Sequence, residues 1–294
     1  MPVSGFMPVT QICAKVICNR KKNCFDLEIM GRDSNGKSGI PLGLRSGGRL
    51  LFVCGLTLLL TLVTYQSKAL TNELERAHGI YLQTRREFET NSMSDGVAWR
   101  FAQACFERAE MSTNNTERVA YGREGINAAR KAVELNPKSA SAHYFLGMNL
   151  GQVARVKRMS ALRLVDEMEV EFLKASELDE KVDFAGPDRC IGVLYRDAPG
   201  WPISIGSRSK AVKCLEHAVE VCPEYPENHL CLLETYLDWS EESKMSQLLE
   251  KTRKLWPEAK KKLVGDKWQS SWEAWDKRLD AIESKMQKKS LEKQ

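Results

Sequence analysis

Four histidines, nine cysteines and a cluster of glutamates are the side chains in this 294-residue chain that could support acid–base, nucleophilic or metal chemistry. A general base must reach the proton it takes, and a metal needs several ligands converging on one point. His78, His143, His217 and His229 are scattered along the chain, and His143 and His229 fall at equivalent positions of a repeating pattern, which marks them as architectural. Glu167, Glu169 and Glu171 stand at two-residue steps. On a helix such steps do not converge, so the three are expected to form a solvated face. Gly36-Lys37-Ser38 lacks the first glycine of a phosphate-binding loop. Cys13, Cys18 and Cys24 have no second ligand pair at zinc-like spacing. Cys105, Cys190, Cys214, Cys222 and Cys231 are odd in number, which excludes a complete disulfide framework and predicts small core residues. Asn114-Asn115-Thr116 is a glycosylation sequon. The expectation is a protein without catalytic residues, cofactor or metal.

The charge distribution separates an N-terminal region from the body. Residues 1–69 carry nine of the 44 basic and three of the 39 acidic residues, leaving 35 basic and 36 acidic residues for 70–294. A neutral body offers no electrostatic footprint for nucleic acid. Leu50 to Tyr65 reads LLFVCGLTLLLTLVTY, an uncharged run directly after Arg45 and Arg49. Its leucines lie on every helical face, unlike the stripe of a surface helix. Residues 50–66 are therefore expected to form a transmembrane anchor or a signal segment, with Ser67-Lys68-Ala69 offering a cleavage site. The preceding arginines lean towards a cytoplasmic N-terminus, so the body is expected on the extracytoplasmic side (periplasmic in a bacterium), or exported after cleavage. Residues 1–49 lack periodicity and read as a disordered leader, with Met30 as an alternative start.

Past this segment the apolar periodicity is helical throughout. Leu70, Leu74, Ala77, Tyr81 and Phe88 make an amphipathic stretch over 70–94, expected to be a stalk or first cap. Between Pro223 and Pro257, 34 residues apart, two stripes follow each other: His229, Leu232, Leu233 and Tyr236, then Met245, Leu249, Thr252 and Leu255. The prolines are expected to close the second helix of each pair. The same template places His143, Leu146, Gly147 and Leu150 before Phe172, Ala175 and Leu178. It also places Ile191, Gly192 and Tyr195 before Ala211, Leu215, Ala218 and Val221. A first, incomplete copy runs from Trp99, Ala102, Cys105 and Phe106 to Ala129, Ala132 and Leu135. Gly147 and Gly192 are expected to let helices approach closely, with Phe172 and Leu215 filling the next layer. In the third copy an insert, DAPGWPISIGS, holds Trp201 in a loop, either as a lid over its helix pair or as a ligand contact. Beyond Pro257, Trp268, Trp272, Trp275, Leu279, Ile282 and Met286 form one stripe. It is expected to be a C-terminal cap over 258–294 with Lys277, Arg278, Asp280 and Glu283 outermost, or else a membrane-surface helix.

These positions over roughly 95–257 resemble the tetratricopeptide repeat, with its Leu-Gly pair, Tyr, Ala, Phe, Ala and closing Pro. Helical pairs with inserts are similar to the T-component of TRAP transporters and to the regulators of microtubule dynamics. The resemblance implies an all-α solenoid whose first helices line a concave groove. Carried onto this chain, the groove positions are Tyr144, Met148, Gln152, Arg189, Arg196, Glu234 and Asp238, with Trp201 beside them. Arg189 and Arg196, seven residues apart, would anchor a carboxylate-bearing ligand, or would tie adjacent repeats together through Glu234 and Asp238. A chaperone-tail clamp needs Asn directly after the Leu-Gly pair, where this chain has Met148. The implied function is a non-enzymatic, membrane-tethered or exported scaffold for a protein or peptide partner at a membrane complex. The alternative is a small-molecule-binding accessory component of a transporter, which a closed pocket among Tyr144, Arg189 and Trp201 would favour.

Overall fold

The structure, a computed structural model, describes residues 73–156 and 161–291. The leader over 1–49 and the apolar segment 50–66 lie outside the described residues. Among the described residues, no helix is long and apolar enough to cross a membrane.

Ten α-helices follow in order among the described residues: α1 over 73–90, α2 Asp95–Glu110, α3 Asn115–Leu135, α4 Ala140–Ala154, α5 Ala161–Leu178, α6 Gly186–Asp197, α7 Arg208–Val221, α8 Pro226–Asp238, α9 Glu242–Lys262 and α10 Gln269–Leu291. The described residues contain no β-strand; one isolated bridge joins Gly200 to Gly206. Local chemistry sets the starts. Side chains of Ser94, Asn114, Ser139 and Ser207 accept from the Val97, Thr116, Ala142 and Lys210 amides, satisfying donors that a helix leaves free in its first turn. Pro187 and Pro226 open α6 and α8, where a missing N–H costs nothing.

The helices pair as α2/α3, α4/α5, α6/α7 and α8/α9, the four copies read from the sequence. In two copies the first helix is tied to the end of the preceding one by the same bond. His143 Nε2 lies 3.0 Å from the Pro137 carbonyl and His229 Nε2 lies 2.7 Å from the Pro223 carbonyl. The glycines act as expected. A Cβ on Gly147 would lie 2.6 Å from the Phe172 ring, and one on Gly192 2.7 Å from Leu215. Phe172 and Leu215 are fully buried, so each glycine is the socket for the large residue of its hairpin partner.

Pro137 and Pro223 stand two residues beyond α3 and α7, as closing prolines should. Pro257 departs from the expectation, because α9 runs through it to Lys262. The proline removes one helical hydrogen bond, but continuing the helix buries Trp256 and Ala259. Trp256 also donates to Asp276 of α10 at 2.7 Å. The cap therefore stabilises the extra turn.

That cap is α10, entered through a 3-10 turn at Asp266–Trp268. Trp268, Trp275, Leu279 and Ile282 are buried, and Trp272 and Met286 pack against the same core. The stripe is turned onto protein, as a capping helix requires. Of the four residues expected outermost, Lys277 and Asp280 are exposed and Glu283 reaches Arg253 at 2.7 Å. Arg278 turns inwards.

Candidate functional site

Side chains on adjacent first helices meet in registered polar contacts. Between α2 and α4, Asn149 donates to the Ala102 carbonyl at 2.9 Å, while Gln152 and Arg155 both donate to Glu110. Gly125 of α3 makes room for the Asn149 amide, since any Cβ there would collide with it. Between α6 and α8, Arg189 donates to Asn228 Oδ1 at 2.7 Å and Arg196 to Thr235 at 3.4 Å, a seven-residue step on each helix. Between α8 and α10, Arg278 donates to both oxygens of Glu227 at 2.8 Å and clasps Glu234 through Nε and Nη2. Trp275 completes Glu227 at 2.7 Å. Buried polar groups need partners, and at the α2/α4, α6/α8 and α8/α10 junctions the facing helix supplies most of them, leaving Asn149 Oδ1 and Arg189 Nε without one among the described residues.

The expected groove residues must be placed against that pattern. Tyr144, Met148, Gln152 and Arg189 are interior side chains, not groove-lining ones. Tyr144 donates to Asp183 at 2.6 Å and Met148 lies against Cys190. Arg196 has little exposure and is held by its neighbour Asp197 at 2.7 Å. Glu234 is bonded to Arg278 and Asp238 is exposed. The two arginines do share one helical face, but it is the face that packs on α8, and their partners are not Glu234 and Asp238. Trp201 is 89% exposed, so it is no lid over its helix pair. Glu167, Glu169 and Glu171 also depart from a solvated face: they bond to Arg130, Tyr195 and His143, respectively.

Arg189 holds the most constrained backbone in the described chain. Asp183, Phe184 and Ala185 have φ of 49, 56 and 59°, three consecutive left-handed residues without a glycine, each costing roughly 1–2 kcal/mol. Arg189 donates to the Phe184 and Asp183 carbonyls, Asn228 donates to Phe184, and the Phe184 ring stacks on Tyr225 at 4.4 Å. Burial would lower the Arg189 pKa, but Tyr225, Tyr144 and Asp183 more than offset it and the guanidinium stays charged. Burial raises the Asp183 pKa, with Arg189 and Tyr144 opposing. Burial likewise pushes the Tyr144 hydroxyl up, with Asp183 adding to the shift. These groups are matched to one another and positioned for rigidity.

An accessible site lies elsewhere, on the side of the array formed by α3, α4 and α5. A cleft of about 390 Å³ is lined by Ile126, Leu150, Val153 and Leu164 and edged by Arg123, Asn127, Arg130, Arg163 and Glu167. Arg130 is paired with Glu167 at 2.6 Å. Arg123 and Arg163 are exposed and have no ion-pair partner among the described residues. Inspection of the repeats alone missed this site. Its signal is Arg123, Asn127 and Arg130 at four- and three-residue steps, one polar face of α3 carrying two arginines.

Four stacked helical hairpins, two of them with glycine sockets, and a tryptophan-rich terminal cap define a tetratricopeptide-like helical-repeat fold. Residues 63–183 match the family model for regulator of microtubule dynamics protein 1-3, one of the two families the repeats resemble. The matched stretch contains every residue of the cleft and ends before Arg189 and Trp201. A thermophilic TPR protein of Thermus thermophilus matches in structure at 14% identity and a TM-score of 0.47, covering 72% of this chain and 98% of its own. No curated protein sequence matches the chain.

Proposed function

We propose that the protein is a non-enzymatic scaffold, held at a membrane by residues 50–66, whose helical array recruits a protein partner. The observation that carries this reading is where the reactive side chains go. The imidazoles of His143 and His229, the Glu227 carboxylate and the Arg189 and Arg278 guanidinium groups are all bonded between helices. What remains available is recognition surface: the arginine-edged cleft and the exposed Trp201–Ile203 tip. Stacked repeats of this kind suit extended polypeptides. Tethering is supported by the uncharged run Leu50 to Tyr65, and the arginines ahead of it favour repeats on the extracytoplasmic side. A closed pocket among Tyr144, Arg189 and Trp201 would have favoured a small-molecule-binding accessory role, but Tyr144 and Arg189 are interior and Trp201 is exposed. That geometry favours the scaffold.

Two experiments test the reading. Full-length protein extracted from membranes with detergent should carry a stoichiometric polypeptide through affinity capture and mass spectrometry. Recovery alone, with a co-purifying small molecule, would reverse the assignment. Sealed cytoplasmic-side-out microsomes should protect the repeats from added protease, and their digestion would reverse the topology.

A further inference from the structure

The cleft between α3, α4 and α5 joins an apolar floor to cations that have no ion-pair partner among the described residues. Ile126, Leu150 and Val153 are buried beneath it, with Leu164 half-buried at its side. Three arginines and one glutamate edge it, and the glutamate is already committed to Arg130. The net excess is positive in a body that is otherwise neutral. Arg123 and Arg130 are seven residues apart on α3, about 10 Å along the helix axis, and Arg163 stands across the cleft on α5. Cations distributed along an open cleft match anions distributed along a chain.

From this we infer that the cleft docks an acidic, extended segment of a protein partner, seating one apolar side chain on the Ile126–Leu150–Val153 floor between flanking carboxylates. The inference rests on the scaffold reading and names its site and partner chemistry. Arg123 and Arg163 supply forked donors for two carboxylates. The Arg130–Glu167 pair spans the cleft from α3 to α5 and leaves the glutamate as the one acid competing for its arginines. Affinity comes from the seated side chain, while the arginines select acidic sequence and speed encounter.

The test is fluorescence anisotropy with full-length protein in detergent, using a labelled peptide with a central leucine flanked by glutamates. Saturable binding is expected. It should weaken at least about tenfold in Arg123→Gln/Arg163→Gln, and comparably when the probe's leucine becomes serine or the salt is raised. Both arginines are exposed, so the variant should keep its melting temperature. Glu167→Gln, which removes the competing acid, should strengthen binding. Absence of saturable binding overturns the proposal, as does equal binding by the double variant or of the serine probe. So does a result in which phosphatidylserine-containing vesicles bind through these arginines and the peptide does not. Each of those failures leaves the scaffold reading standing if full-length protein still captures a polypeptide from membranes, and only absence of any such partner removes both.

Discussion

Arg189 is the residue whose role the sequence states least directly. Its position in the third copy marks it as groove-facing, yet the side chain is fully buried against three carbonyl or amide oxygens and Asp183. Nothing in sequence spacing distinguishes an arginine that meets a ligand from one that meets the next repeat, because both need the same helical face. The distinguishing feature is the left-handed turn at Asp183–Ala185, and three non-glycine residues give no warning of it. Replacing Arg189 with Met would leave Asp183 without its cation and remove a donor from each of the strained Asp183 and Phe184 carbonyls, the latter keeping Asn228. A loss of about 3–5 kcal/mol is expected in urea unfolding, and unchanged stability would show the network to be dispensable. His229 was legible as architecture, because it recurs at the His143 position. Burial, opposed by the bond to Pro223 and reinforced by Lys251, holds its pKa below 6.5. The folded protein thus binds fewer protons at this site than the unfolded chain, so the stability from the neutral ring is complete above pH 6.5 and falls as pH drops through it. His229→Gln should shrink the difference in melting temperature between about pH 7.5 and 5.5. An identical pH dependence in the variant would place the titration elsewhere.

At the scale of elements, the glycine sockets were readable because they follow the repeat and because only a residue without Cβ fits beneath a ring. Gly147→Ala would place a methyl group 2.6 Å from Phe172. Overpacking of this kind costs about 1–3 kcal/mol. Phe172→Leu in the same chain should recover part of that loss, and a double-mutant cycle in urea reads the coupling. Purely additive effects would mean the two side chains do not meet. The end of α9 was not readable, because Pro257 ends a helix in the repeat's pattern and here sits inside one. What carries the helix onward is α10, beyond the 3-10 turn, through Trp256, Asp276 and Trp272. Local propensity loses to a tertiary contact that no window of sequence contains. The cleft was missed for a related reason: its edges come from α3 and α5 and its floor largely from α4.

At the scale of the whole array, the buried side chains of the described residues form two large clusters that meet at α6 and α7. One extends from Tyr81 on α1 to Ala211 on α7, the other from Ala185 to Ile282 on α10. In a linear array each unit is stabilised mainly by its neighbours, so damage at one end need not reach the other. Trp275 is the point at which this can be tested, since it is fully buried at the cap and donates to Glu227. Trp275→Ala leaves a cavity and deprives a buried carboxylate of one donor, at a cost of about 3–5 kcal/mol. Amide hydrogen exchange should then accelerate across α8, α9 and α10 while α2 to α5 keep their protection. Because the arginine-edged cleft belongs to the protected half, the acidic probe should still bind at a temperature where the cap has opened. Uniform acceleration along the chain, with probe binding lost at the same temperature, would instead show that the two clusters unfold as one cooperative unit.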